Sequence, residues 1–213
     1  MPGENKSESA AGIATRPFCV YSKEELTREL RQGEIISSLA QASYDSSAEQ
    51  VSIVIHPFAV VATQDCDLLW DYEGTREGKP SDLNGVLLYE AEPADQAKTK
   101  LPRGNDIWKR IIQNRDERYH LLESVRADDD CVGEGIPGLI IDFKRFFTLA
   151  ASEIYRQITI AESARRRCRL EMPYREHFQT RAAFYFQRVM LPEPHKTPSA
   201  PKALSAPTSP EKK

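Results

Sequence analysis

Apolar positions along the chain follow two patterns, and their alternation predicts a mixed fold. Val51 to Ile55 and Phe58 to Thr63 are nearly continuous runs rich in β-branched and aromatic residues, the composition of buried strands. Pro57 lies between them and has no amide hydrogen to give to a ladder, which predicts a bend or a division there. Gly138 to Phe143 reads as a second apolar strand, with shorter strands at Glu34 to Ser38 and Tyr119 to Val125. Residues 71 to 104 are punctuated by Gly74, Gly78, Pro80, Gly85, Pro102 and Gly104, and read as loop around one strand or short helix at Val86 to Glu90. Helical spacing appears in Asn105 to Asp116, through Ile107, Trp108, Ile111 and Ile112. It recurs in Pro173 to Met190, through Phe178, Ala182, Tyr185 and Val189. Ser22 with Glu25 forms a capping box, and Gly33 is a helix stop, which predicts a helix over Lys23 to Gln32. Ser152 caps another that runs to about Ile160, and Asp128 to Asp130 reads as a turn.

About five or six strands interleaved irregularly with three or four helices predict an α+β class rather than a doubly wound sheet. The expected architecture is a single compact domain over residues 16–191. It holds a small bent sheet or partly open β-barrel of SH3-like type, flanked by helices, with a helix at its C-terminal end. Residues 1–15 are small and polar, and residues 192–213 are rich in proline, so both ends are expected to be disordered. The proline-rich end reads as a solvated tail or as a polyproline ligand. No run approaches the ~18 apolar residues that span a bilayer. A cytoplasmic protein with no membrane partner is the expectation.

Charge changes this picture at one place. The formal net charge is -3, yet residues 161–190 carry seven arginines against three glutamates. On the last predicted helix His177, Arg181, Phe184 and Arg188 follow one another at helical spacing, preceded by Arg165, Arg166, Arg167 and Arg169. Such a stripe with an interleaved aromatic could contact phosphates and a base. It could equally form ion pairs with the acidic remainder of the chain.

Candidate chemistry gathers at Thr63-Gln64-Asp65-Cys66-Asp67, where an apolar strand runs into hydroxyl, amide, carboxylate and thiol groups. A strand that ends in reactive side chains fixes their positions for a site. If the strand continues, Asp65 and Asp67 share one face and Cys66 points to the other. Cys66 could then be a nucleophile assisted by His56, His120 or His177, a ligand contact, or a buried structural thiol. Asp65 and Asp67, with Asp142 from the second apolar strand, could hold a divalent metal, the one candidate cofactor; as turn-formers and caps they need none. The four cysteines form no C-x-x-C pair and are expected to be free thiols.

The segments Gly33-Glu34-Ile35-Ile36 and Phe58 to Leu68 resemble a poorly characterised family of small bacterial proteins built around a [ST]-Q-x-C-D-[LI] motif. Tyr119-His120-Leu121-Leu122, Ile140 to Phe143 and Pro173 to Pro192 are similar to that family too. Gly33 to Ile36 with Val60 to Thr63 also resembles the barrel of MazF/PemK-type endoribonuclease toxins. The arginine and the Thr or Ser that follow the first strands of those toxins have no clear counterpart here. These resemblances, taken with the arginine excess of residues 161–190, point to an accessory nucleic-acid-associated or protein-interaction module of a bacterial operon, in the defence or toxin-antitoxin class, with an operon-encoded protein partner. The rival expectation is a metal-dependent or cysteine-assisted phosphodiester hydrolase. Its catalytic residues would be Thr63, Cys66 and Asp67, and Gln64, Asp65, His120, His177, Arg181 and Arg188 would bind. A binding role is favoured over an enzyme.

Overall fold

Seven segments pair antiparallel in one sheet: Tyr21–Ser22 (β1), Glu34–Asp45 (β2), Gln50–Val61 (β3), Val86–Pro93 (β4), Tyr119–Leu122 (β5), Leu139–Leu149 (β6) and Arg165–Leu170 (β7). Their order across the sheet is β1-β7-β2-β3-β4-β6-β5. The helices are Asp65–Arg76 (α1), Ala94–Lys100 (α2), Asn105–Ile112 (α3), Ala151–Thr159 (α4) and Tyr174–Gln187 (α5). The structure, a computed structural model, describes residues 19–23, 26, 28–101 and 105–187. The two ends expected to be disordered lie outside the described residues, as do Arg188 and Val189.

The fold class is α+β, and the sheet is not closed. It coils until its edges meet through a side chain: the Tyr21 hydroxyl of β1 donates to the Glu123 carbonyl, just past β5, at 2.7 Å. The last helix fills the space so enclosed. Phe178 is fully buried against Tyr89 of β4 and Phe143 of β6, with ring centroids 5.8 and 6.2 Å away. Tyr174, Ala182 and Tyr185 pack on the same core. This is the face that the spacing of Phe178, Ala182 and Tyr185 predicts. On the other side of the sheet a second core joins Leu30, Ile36, Leu39, Leu68 of α1 and Ile154 of α4. A third, smaller one joins Ala97 of α2 and Ile111 of α3 to Ile140 of β6.

Differences from the sequence pattern have local causes. The helix expected over Lys23 to Gln32 is absent from the described residues of that stretch. The amides of Leu30, Arg31 and Gln32 donate instead to Tyr155 Oη, Glu34 Oε2 and Asp65 Oδ1, at 2.8, 3.0 and 2.7 Å. Side chains brought from elsewhere thus replace the carbonyls one turn back. β3 runs unbroken through Pro57, and Ser38, opposite it, takes φ 60°. The strand therefore bends rather than divides. β7 has no apolar alternation and was not expected. Cys168 pairs with Ile35 and Arg166 with Ile36, so Arg167 is the extra residue of a bulge. Its guanidinium grips Asp130 at 2.9 and 2.7 Å and holds the 127–136 loop against the sheet. Gly135 in that loop has φ +74°, and a Cβ there would meet the Val125 carbonyl oxygen at 2.9 Å.

Candidate functional site

The segment Thr63 to Asp67 does not continue as a strand. The Thr63 hydroxyl accepts the Leu87 amide at 2.8 Å and ends the β3–β4 ladder. Gln64 then sits at the N-cap of α1, whose first turn carries Asp65 and Asp67. Carboxylates are favoured there because they face the positive end of the helix dipole. This corrects the extended arrangement: on a helix Cys66 lies between the two aspartates in the turn, not on the opposite face of a strand.

Asp65 is the hub of this corner. Its Oδ1 accepts the Gln32 amide at 2.7 Å, and its Oδ2 accepts Arg169 Nη2 at 2.6 Å and Arg175 Nη1 at 3.1 Å. Asp142 is likewise held by Arg118, at 2.8 and 2.5 Å. Two of the three carboxylates offered for a divalent cation are therefore engaged by guanidiniums. Among the described residues no group of three or more His, Cys, Asp or Glu could hold a metal ion. Cys66 is exposed, and its thiol lies 3.7 Å from both Gln64 Oε1 and Asp67 Oδ1. Neither contact is an imidazole or a cation, the groups that hold a thiolate.

The histidines named for that thiol have other surroundings. His56 stacks on Phe147 at 3.8 Å. His120 is buried against Phe143 and Phe178, with the His177 ring centroid 5.5 Å away. Burial, then the Arg181 cation and His177, pull the His120 imidazole down to about 3. His177 is lowered by burial and by Arg181. Both rings border a cavity of about 260 Å³ between β5, β1 and the start of α5.

Nor do the arginines of 161–181 form a free stripe. Arg166 pairs with Glu34, Arg167 with Asp130 and Arg169 with Asp65. Arg181 turns inward, with Nη2 donating to the carbonyls of Asp116 and, at 2.8 Å, Tyr119. The charge excess read from the sequence is spent inside the fold, where it binds distant segments to one another. Arg165 is exposed and stands apart from this pattern.

A cationic surface does exist, on residues that the sequence pattern did not single out. A cavity of about 970 Å³ forms an open groove between the α3–β5 connection, β6 and α5. Arg110, Arg115, Arg118 and Lys144 line it against Asp116 and Glu117. Arg110 pairs with Asp116 at 3.3 Å, and Arg118 with Asp142. The exposed Arg115 and Lys144 side chains make no ion pair among the described residues. Phe146 and Phe186 stand half exposed on its wall with centroids 5.8 Å apart, edge to face. Lys144 reaches the groove because β6 bulges: Tyr89 pairs with Phe146 and Ala91 with Ile141, so Glu90 faces four residues of β6. A bulge of this kind leaves no periodic trace in the sequence. The only available signal was the mixture of charges and rings in Asp142 to Phe147. Comparison with protein-family profiles, with curated proteins and with solved structures finds no match to this chain.

Proposed function

We propose that the protein is a nucleic-acid-associated accessory module, and that the groove between α3, β6 and α5 is its contact surface. One observation carries this: Arg115 and Lys144, exposed cations with no ion pair among the described residues, share the groove with the exposed ring pair Phe146–Phe186. Cations recruit phosphates irrespective of sequence. Rings offer a stacking platform to any unpaired base. Together they suit a single strand better than a duplex, whose bases are already stacked. An operon-encoded protein partner belongs to the same proposal, as the component with which such a module acts. Binding is placed ahead of phosphodiester hydrolysis because Asp65 and Asp142 serve arginines and the Cys66 thiol has beside it Gln64 and a carboxylate, not an imidazole or a cation.

The test is fluorescence anisotropy with labelled single-stranded RNA and DNA across a salt series. The wild type should bind, and Arg115→Glu with Lys144→Glu should weaken it at least about tenfold and lower the salt slope by about 1.4, at ~0.7 per phosphate contact. Phe146→Ala should weaken it by about 1–3 kcal/mol with the slope kept. A wild type that does not bind at low salt, or an unchanged slope in the double variant, rejects the proposal.

A further inference from the structure

The distal half of the β2–β3 hairpin is built for a partner that the monomer does not supply. β2 pairs with β7 only over Glu34 to Ser37, and β3 pairs with β4 only over Phe58 to Val61. Beyond those points the hairpin is a free two-stranded arm. At its base the arm is tied to the body by Leu39 in the second core, by His56 stacked on Phe147, and by the Gln157 side chain, which bonds the Ala40 amide and carbonyl at 2.8 and 2.7 Å. Every residue from Ala42 to Ile55 is exposed. Yet the arm alternates, with most of its large apolar side chains on one face. Register places Ala40 opposite Ile55, Ala42 opposite Ile53 and Tyr44 opposite Val51, all on one face. The other face carries Gln41, Ser43, Ser52 and His56 with the single apolar Val54, and His56 Nε2 lies 3.2 Å from Gln41 Oε1. Amphipathic alternation is the signature of a face to be covered, and no part of the described monomer covers this one.

We infer that the apolar face of the arm packs against the same face of a second copy of this chain, about a twofold axis at the Ala42–Ile53 rung. Three observations favour a copy over an unlike partner. First, the face is self-complementary when two arms lie antiparallel: bulky Tyr44 comes over small Ala40, Val51 meets Ile55, and Ile53 meets its own equivalent. Second, no lysine or arginine occurs from Gln32 to Thr75, so the arm's tip carries only the carboxylates of Asp45 and Glu49. The antiparallel arrangement brings that tip to the base of the other arm. There Arg165 lies opposite Ser37, on the same side of the sheet as the apolar face, exposed and without an ion pair among the described residues. Third, Tyr44, Val51, Ile53 and Ile55 are 55 to 67% exposed. Their patch of roughly 400–500 Å² is the size of the largest apolar patch on a typical monomer, the kind that commonly marks an interaction site. With tip and base added it would supply the core of a standard interface, which buries about 800 Å² per partner. An isolated two-stranded hairpin is marginal in water, and face-to-face packing gives it the second layer it lacks.

Sedimentation velocity on the full chain tests this. The wild type should be a dimer that dissociates on dilution. Ile53→Asp sets two carboxylates against each other on the axis and should leave a monomer with an unchanged circular dichroism spectrum, since Ile53 belongs to none of the three cores. Arg165→Glu should weaken the dimer several-fold. Geometry is read by cysteine capture in a background with Cys19, Cys66 and Cys131, the exposed thiols, changed to serine. Under mild oxidation Ile53→Cys should cross-link to its own copy, whereas Val51→Cys should not. A wild type that stays monomeric at high concentration, a dimer that survives Ile53→Asp, or cross-linking at 51 in place of 53 overturns the inference.

Discussion

Asp65 and Cys66 are adjacent and do opposite things. The carboxylate of Asp65 closes a corner made of Gln32, Arg169 and Arg175. Arg169 is nearly buried, so removing its partner leaves a cation without compensation. Asp65→Ala should cost about 2–4 kcal/mol in denaturant unfolding, while Cys66→Ala, at an exposed position, should change stability by no more than ~0.5 kcal/mol. Equal effects would show that the corner is not held by Asp65. Both residues looked reactive in the sequence, because a motif displays residue types and not their partners, and the two arginines that hold Asp65 lie over a hundred positions away. His120 gives a second residue-scale expectation. With its folded value near 3, below the unfolded ~6.5, the unfolded chain binds the proton that the folded chain refuses. Its contribution is therefore intact above about pH 6.5 and is lost as pH falls, by up to ~1.4 kcal/mol per unit. The melting temperature should drop from about pH 7 to about pH 5, more steeply than in His120→Gln. His56 and His177 are lowered too and leave the variant part of the slope. A parallel pair of curves would rule out this role for His120.

At the scale of elements, legibility followed apolar periodicity. α5 was readable because Phe178, Ala182 and Tyr185 face one core, and β6 because Leu139 to Phe143 is buried on both sides of the sheet. α1 was not. Its buried positions are only Leu68 and Asp71, and Asp71 is used to hold the following loop through Ser81, at 2.5 Å. β7 was illegible for the reverse reason: the arginines of 165–169 show no apolar alternation, and Glu34, Asp130 and Asp65 allow the guanidiniums of Arg166, Arg167 and Arg169 to be buried in a strand. Since α5 fills the coiled sheet, Phe178→Ala should destabilise by about 3–5 kcal/mol. Tyr185→Ala, at the rim of the same core, should cost less, about 1–3 kcal/mol. The reverse order, measured by denaturant unfolding, would mean that the helix is anchored at its C-terminal end.

The whole molecule separates its surfaces. A cationic, ring-lined groove lies between α3, β6 and α5, and the apolar arm with acids at its tip projects from β2 and β3. Neither was visible in the sequence as such, since the groove needs three elements brought together and the arm looks like core until its neighbours are known. The order of the strands has one more consequence. β1 and β2 both pair with β7, so Tyr21 finds Leu170 and Ile35 finds Cys168. Strands near the start of the domain thus wait for one close to its end. During synthesis the ribosome must release nearly the whole domain before that side of the sheet can form, and α5 must follow before its core is filled. Until then β2 and its long arm stay open to other chains, so the hazard of misassembly is concentrated in the interval between translation of the β2–β3 hairpin and arrival of β7.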